Sequence, residues 1–437
     1  RKQSIYSFQG ADPDAFEPLQ APALAALRTL VASIRMDVPP GLPPALPFLV
    51  GYLGYETAGL VEQLPLPAAD PLGVPDLLFV RASLLLVFDR LADTLTLVAP
   101  IYADSDLGVA GVEGDLAIDA ALDAARARLQ SAAARLQQPL PVQHAQLPAG
   151  FALPRPESAV GRGQYLERVE KARRYIAAGD IFQVVLAQRF ALPFPLPPFQ
   201  LYRALRRINP SPFLYHLDLP GFAVTGSSPE ILVRARDGEV TIRPIAGTRK
   251  RGATDDEDRA LEHDLLSDPK ELAEHLMLLD LGRNDVGRAS EPGSVRVTDR
   301  FAIERYSHVM HIVSNVVGKQ KEGSDSIDAI LAGFPAGTVS GAPKVRAMEI
   351  IAELETEKRG PYAGGIAYFA PDGGMDSCIV LRTAVVKDGI MHVTAGAGIV
   401  ADSNAEAEQR ECEAKSGALF AAARAAVAAA ARPAFGP

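Results

Sequence analysis

The chain has 437 residues, of which 48% are hydrophobic and 22% charged, and a formal net charge of −9. That composition supports a full core and excludes a disordered chain, and the acidic balance argues against nucleic acid as the main partner, because phosphate binding needs a basic face. Two cysteines, Cys378 and Cys412, exclude a disulfide scaffold or a cysteine-rich zinc site; with no apolar run near the ~18 residues of a membrane span, a reducing compartment, the cytoplasm, is expected. In chain order, residues 41–67 are punctuated by Pro and Gly, with Tyr52 and Tyr55 beside Glu56. Residues 82–104 read as two strands around a polar turn at Asp89–Asp93, a hairpin. Residues 116–137, rich in Ala, Leu and Arg, have helical spacing, and a Pro-rich extended stretch follows. These features divide the chain into an N-terminal domain at 1–105, a helical and Pro-rich linker at 106–156, and a catalytic domain at 157–437.

In the third segment, residues 164–180 form an amphipathic helix that ends near Gly179. A strand at 181–192 and a helix at 198–209 follow. Residues 213–252 read as a meander with turns at Pro220–Gly221 and Asp237–Gly238. One long helix is expected over 255–283, and further helices over 343–355 and 405–431. No repeat of 20–50 residues is present. Runs of strands mixed with long helices predict an α+β fold rather than strict βαβ alternation.

Chemistry is suggested by several features. Glu271 and Glu274 lie three apart, as do Glu408 and Glu411, so each pair shares a helix face. Two such faces turned to one cavity would suit a hard cation such as Mg2+; the same spacing suits ordinary solvated helix surfaces. Residues 334–344 (FPAGTVSGAPK) run small residues into a helix with Pro343 at its start, so backbone N–H groups there could hold a carboxylate or simply begin a helix. Gly396 and Gly398 either admit a ligand close to the backbone or mark a bulge. Of His308 and His311, on opposite faces of a strand, one could face a pocket. Arg382 is a lone cation, and Lys415 lies one helical turn after Glu411. Together these residues suit a small dicarboxylate ligand.

The strings GSSPEILVR, RPIAGTRKRG, KELAEHLMLLDLGRNDVGR, RYSHVMHIVSNVVG, FPAGTVSGAPKVRAMEIIAELE, RGPYAGGIAYF and AGAGIVADSNAEAE, in this order over roughly residues 160–425, resemble the chorismate-utilising enzymes, and among them the large subunits of anthranilate synthases. YSFQGADP and VGYLGYE resemble that family's N-terminal domain. The resemblance implies a large two-sheet sandwich with helices outside and the active site in the cleft between the halves. It implies Mg2+ as cofactor, with Glu274 and Glu411 as direct ligands and Glu271 and Glu408 as their partners. Arg382, Tyr362, Lys415 and the backbone of Gly398 would clamp the enolpyruvyl carboxylate, while Gly247, Thr248, Thr338 and Gly396 line the ring pocket. His311, rather than His308, matches the catalytic histidine, and Glu230 matches a carboxyl that protonates the leaving 4-hydroxyl. Such an acid needs a raised pKa to work at neutral pH.

Two positions separate related activities within the resemblance. Enzymes that form aminodeoxychorismate commonly carry Lys where this chain has Ala246, and isochorismate and salicylate synthases carry Lys where it has Gln183. With neither lysine present, external ammonia is the expected nucleophile. A separate glutamine amidotransferase subunit is the expected source, because neither cysteine sits in a Gly-x-Cys-x-Gly turn. Asn209, Pro210, Pro212, Phe213 and Leu214 resemble half of the family's tryptophan-inhibition site. Its Leu-Leu-Glu-Ser half is not found; the chain opens on Arg1 rather than Met, and a trimmed start is expected. A non-catalytic subunit that binds chorismate or tryptophan is the alternative from another class.

Overall fold

In the computed structural model, which describes residues 5–7, 17–18, 23–43, 45–102, 115–139, 147–148, 150–306 and 309–431, the two-residue period of the strands sets the layers. In Leu49–Leu53, Leu49 and Leu53 face one apolar interior and Tyr52 another. In Leu77–Arg81, Leu77 and Phe79 face the first and Leu78 the second, as alternation along a strand requires. The second interior is a layer between two sheets: Tyr52, Leu78, Ile366 and Cys378 of one meet Leu219, Phe222, Val224 and Val385 of the other. Each such aliphatic or aromatic side chain, fully buried, contributes about 1.5–3 kcal/mol.

Among the described residues, eleven strands form the first sheet and seven the second. The expected hairpin, Leu85–Asp89 with Thr94–Val98, stands apart from both. Helices Arg162–Ala177, Pro198–Ile208 and Ala405–Ala430 pack together over the seven-stranded sheet. Helix Pro269–Ala289 packs on strands Ile245–Lys250 and Val309–Lys319 of the other. The fold is thus the expected α+β sandwich with peripheral helices. Leu49–Leu53 pairs with Gly365–Phe369, so segments 1–105 and 157–437 share one sheet. The helix expected over 116–137 is present as Asp115–Leu136. No helix among the described residues is long and apolar enough to cross a membrane.

Two expectations need correction. Residues 213–252 do not form one meander. Phe213–Leu219 and Phe222–Ser228 belong to the seven-stranded sheet, whereas Ile231–Arg236, Glu239–Ile242 and Ile245–Lys250 belong to the eleven-stranded one. The chain crosses at Pro229 and Glu230, where proline cannot donate to a ladder. Ser228 Oγ donates to the carbonyl of Ile379 at the crossing, at 2.6 Å. The single helix over 255–283 is two helices, Asp255–Ser267 and Pro269–Ala289. Proline disfavours helical backbone at the residue before it but suits a helix start. Asp268 accordingly leaves helical geometry and accepts from the N–H groups of Lys270 and Glu271.

Candidate active site

The crossing between sheets delivers Glu230 into the interior. Its side chain is buried, and its Oε1 accepts from Thr338 Oγ1 at 3.0 Å. Thr338 sits on the short helical turn Gly337–Val339, within the small-residue stretch before helix Lys344–Leu354. Burial pushes the Glu230 carboxyl up to about 8, against the hydrogen bond from Thr338 and the charges of Lys415 and Arg382, which pull it down. Near neutral pH this carboxyl therefore carries a proton and can give it away.

His311 comes from strand Val309–Lys319, opposite Thr248. The pairing slips between Ala246 and Thr248, and Gly247 adopts φ +74°, a left-handed conformation that glycine accepts without cost. His311 Nδ1 lies 3.1 Å from the Gly247 carbonyl and 3.0 Å from Thr248 Oγ1. A carbonyl only accepts, so Nδ1 carries the proton and Nε2 presents a lone pair. Burial lowers the imidazole pKa, the Gly247 carbonyl raises it and Arg382 lowers it further; a neutral ring is available as a base. His308 lies outside the described residues.

The four carboxylates divide by partner. Glu271 accepts from Arg249 Nη1 at 3.0 Å and Glu411 pairs with Lys415 at 2.7 Å. Burial raises the pKa of Glu274, and the charges of Glu271 and Glu411 raise it too. Burial likewise raises Glu408, as does Glu411. The two helices therefore feel one another's charge across a common space, and Lys270 to Asp402 at 2.9 Å ties their N-terminal ends together. Among the described residues no group of three or more His, Cys, Asp or Glu side chains is gathered closely enough to hold a metal. The donor set nonetheless fits a hard divalent cation: oxygen ligands only, in mutual repulsion that such an ion would relieve.

Of the proposed clamp, Arg382 adopts φ +47°, a conformation costing an ordinary residue about 1–3 kcal/mol and concentrated at functional sites. Burial lowers its pKa and Glu230 raises it. Lys415 is half exposed and donates to the Gly396 carbonyl at 3.1 Å. Gly396 and Gly398 lie in strand Ile390–Ile399 in unbroken register with Gln183–Pro193, so no bulge explains them. A Cβ on Gly396 would fall 2.8 Å from Tyr362 Oη, and one on Gly398 2.7 Å from Gln183 Nε2. Both glycines thus make room for side chains bordering the site.

The remaining sequence-predicted residues lie elsewhere. The Asn209 carbonyl accepts from Ser227 Oγ, Leu214 is paired with Ser227, and Phe213 packs against the apolar layer between the sheets, where Cys378 also lies. Pro210 and Pro212 are exposed in the connection before strand Phe213–Leu219. Both cysteines are buried, and burial pushes Cys412 up to about 11 and Cys378 above its usual range.

Sequence reasoning missed five neighbours of the site. Arg249 holds Glu271. Lys344 forms a buried pair with Asp285 at 2.8 Å, joining the Thr338 stretch to helix Pro269–Ala289. Arg359 and Glu355 form another buried pair, at 2.6 Å. No local pattern marks these residues, although Arg359 adjoins Tyr362 in RGPYAGG.

A sequence profile described as chorismate binding enzyme matches residues 2–421. The chain is 54% identical over 408 residues to an anthranilate synthase component 1 of Cereibacter sphaeroides, covering 93% of this chain and 80% of that protein. It is 50% identical over 385 residues to one of Pseudomonas putida, covering 87% and 76%. Anthranilate synthase component I from Streptococcus pneumoniae superposes with a TM-score of 0.79 at 35% identity, covering 96% of this chain and 92% of that one.

Proposed function

From the premise that this chain belongs to the chorismate binding enzyme family, we propose that it is the large subunit of an anthranilate synthase, converting chorismate and ammonia to anthranilate, pyruvate and water. The observation that carries this is agreement of more than half the aligned residues with an anthranilate synthase component 1 over nearly the whole chain. Ala246 and Gln183 agree with it, since neither supplies the amine of a lysine nucleophile or base.

Arg382, Lys415 and Tyr362 hold the enolpyruvyl carboxylate, and Thr248, Thr338 and Gly247 border the ring. Glu274 and Glu411, with Glu271 and Glu408, would hold Mg2+, which when bound supplies positive charge for the ring carboxylate. Glu230 gives its proton to the 4-hydroxyl, a poor leaving group, which departs as water while ammonia bonds to ring carbon 2, and the ammonium group so formed gives up one proton to leave the amine. His311 Nε2 takes the proton from carbon 2. The bond between the ring and the enolpyruvyl oxygen breaks with its electron pair on oxygen, the released enolate gains a proton at its methylene carbon to become pyruvate, and the ring becomes aromatic.

The buried cysteines, with thiols held above their usual range, are poor nucleophiles. This supports ammonia arriving from a separate glutamine amidotransferase subunit. Asn209, Pro210, Pro212, Phe213 and Leu214 form part of a tryptophan-inhibition site beside the apolar layer between the sheets. The chain contains no tryptophan, so fluorescence of added tryptophan reports its own binding.

The test is incubation with chorismate, Mg2+ and an ammonium salt at alkaline pH. Anthranilate fluorescence is expected. A para-amino product or isochorismate would instead assign a related activity, and chorismate binding without turnover a regulatory subunit.

A further inference from the structure

Strand Gln183–Pro193 is flanked on one side by the glycine-bearing strand Ile390–Ile399. On its other side, among the described residues, strand partners lie only at Gln183–Val184 and at Phe190–Ala191. Between them, Val185 and Ala187 need other partners, because buried backbone groups left unpaired are costly. The Val185 N–H donates to the Ser340 carbonyl at 2.9 Å. The Val185 carbonyl accepts from Arg359 Nη2 at 2.7 Å, and the Ala187 N–H donates to Glu355 Oε1 at 2.8 Å.

The same guanidinium reaches further. Arg359 Nη1 donates to the Val339 carbonyl at 2.8 Å, and Nε and Nη2 donate to the two Glu355 oxygens at 2.8 and 2.6 Å. The two side chains are 2% and 7% exposed. Val185 and Ala187 stand opposite Gly398 and Gly396 in the ladder. Val339 follows Thr338, the donor to Glu230. Tyr362 presents its ring to the guanidinium, with its centroid 5.7 Å away.

We propose that Arg359 and Glu355 are a positioning unit for the reaction, taking the place of strand pairing at Val185 and Ala187 and fixing Gly396, Gly398, Thr338 and Tyr362 relative to one another. The proposal rests on the site assignments made under Proposed function. Neither side chain touches substrate; each acts through residues that do. Only the planar fork of arginine can serve two carbonyls and a carboxylate at once.

The test uses Arg359→Lys and Glu355→Gln in the full chain, assayed with chorismate, Mg2+ and an ammonium salt below the melting midpoint of each variant. Misplacement of reacting groups by about 1 Å costs roughly 10²-fold. We therefore expect kcat per folded chain to fall by at least about tenfold and the chorismate KM to rise in both variants. Combined with Tyr362→Phe, Arg359→Lys should add less to KM than it does alone, since the two act at one place. Variants that melt earlier but keep wild-type kcat and KM overturn the proposal, because that is the signature of a core pair alone. If neither variant folds at the assay temperature, the pair is a folding element and the proposal also falls. A wild-type chain that forms no anthranilate brings down the proposed reaction instead, so the two failures are distinguishable.

Discussion

Glu230→Gln separates catalysis from stability in one substitution. The glutamine amide has the size of the acid and its Oε1 can still accept from Thr338, so the fold around it is retained. It has no proton of the right acidity to give the 4-hydroxyl, and general acid catalysis contributes roughly 10²–10⁴-fold. Activity should fall by that factor. Stability should move the other way at high pH. The carboxyl is held protonated up to about 8 rather than the usual 4.5. The folded state therefore binds more protons than the unfolded one in this window, and wild-type stability is full below 4.5 and falls as pH rises to about 8. At ~1.36 kcal/mol per pH unit the loss reaches about 5 kcal/mol, an order-of-magnitude figure. The variant lacks this loss. Melting curves at pH 5 and pH 9 should show Glu230→Gln gaining on wild type at the higher pH, and anthranilate fluorescence at fixed free ammonia should show its turnover nearly gone. A variant that keeps a tenth or more of the wild-type kcat, or whose melting difference from wild type does not change with pH, refutes the assignment of Glu230 as a buried acid.

The other substitutions address the rest of the site. Glu411→Gln removes a proposed ligand and frees Lys415; the Mg2+ concentration for half-maximal rate should rise at least roughly 10–100-fold, and an unchanged Mg2+ titration would remove Glu411 from the ligand set. Gly396→Ala places a methyl 2.8 Å from Tyr362 Oη and 3.0 Å from the Leu186 carbonyl, which should cost about 1–3 kcal/mol of stability and raise the chorismate KM, both measurable by melting and steady-state kinetics. Lys344→Met strands Asp285, 6% exposed, without its partner; denaturant unfolding should show a loss of about 3–5 kcal/mol, and replacing both residues by apolar ones should restore much of it.

The element pattern and the candidate reacting groups were legible in the sequence because both are carried by short stretches of residues. Alternation marked the hairpin at Asp89–Asp93, apolar spacing marked the helices ending near Gly179 and Leu354, and the resemblance of the quoted strings picked out His311, Glu230 and the two glutamate pairs. Even the break at Asp268 was written locally, in Pro269, although periodicity alone ran through it. Tertiary structure alone decided the rest. Burial raises Glu230, the Gly247 carbonyl 64 residues away in sequence selects the His311 tautomer, and strands 213–228 and 231–250 part into different sheets. Arg359 and Glu355 escaped notice for the same reason: a buried ion pair acquires its meaning from the backbone groups it meets, here Val185, Ala187 and Val339, and those meet it only after the chain has folded. Electrostatic and hydrogen-bond partners are set by distance in space, which a linear order of residues does not contain.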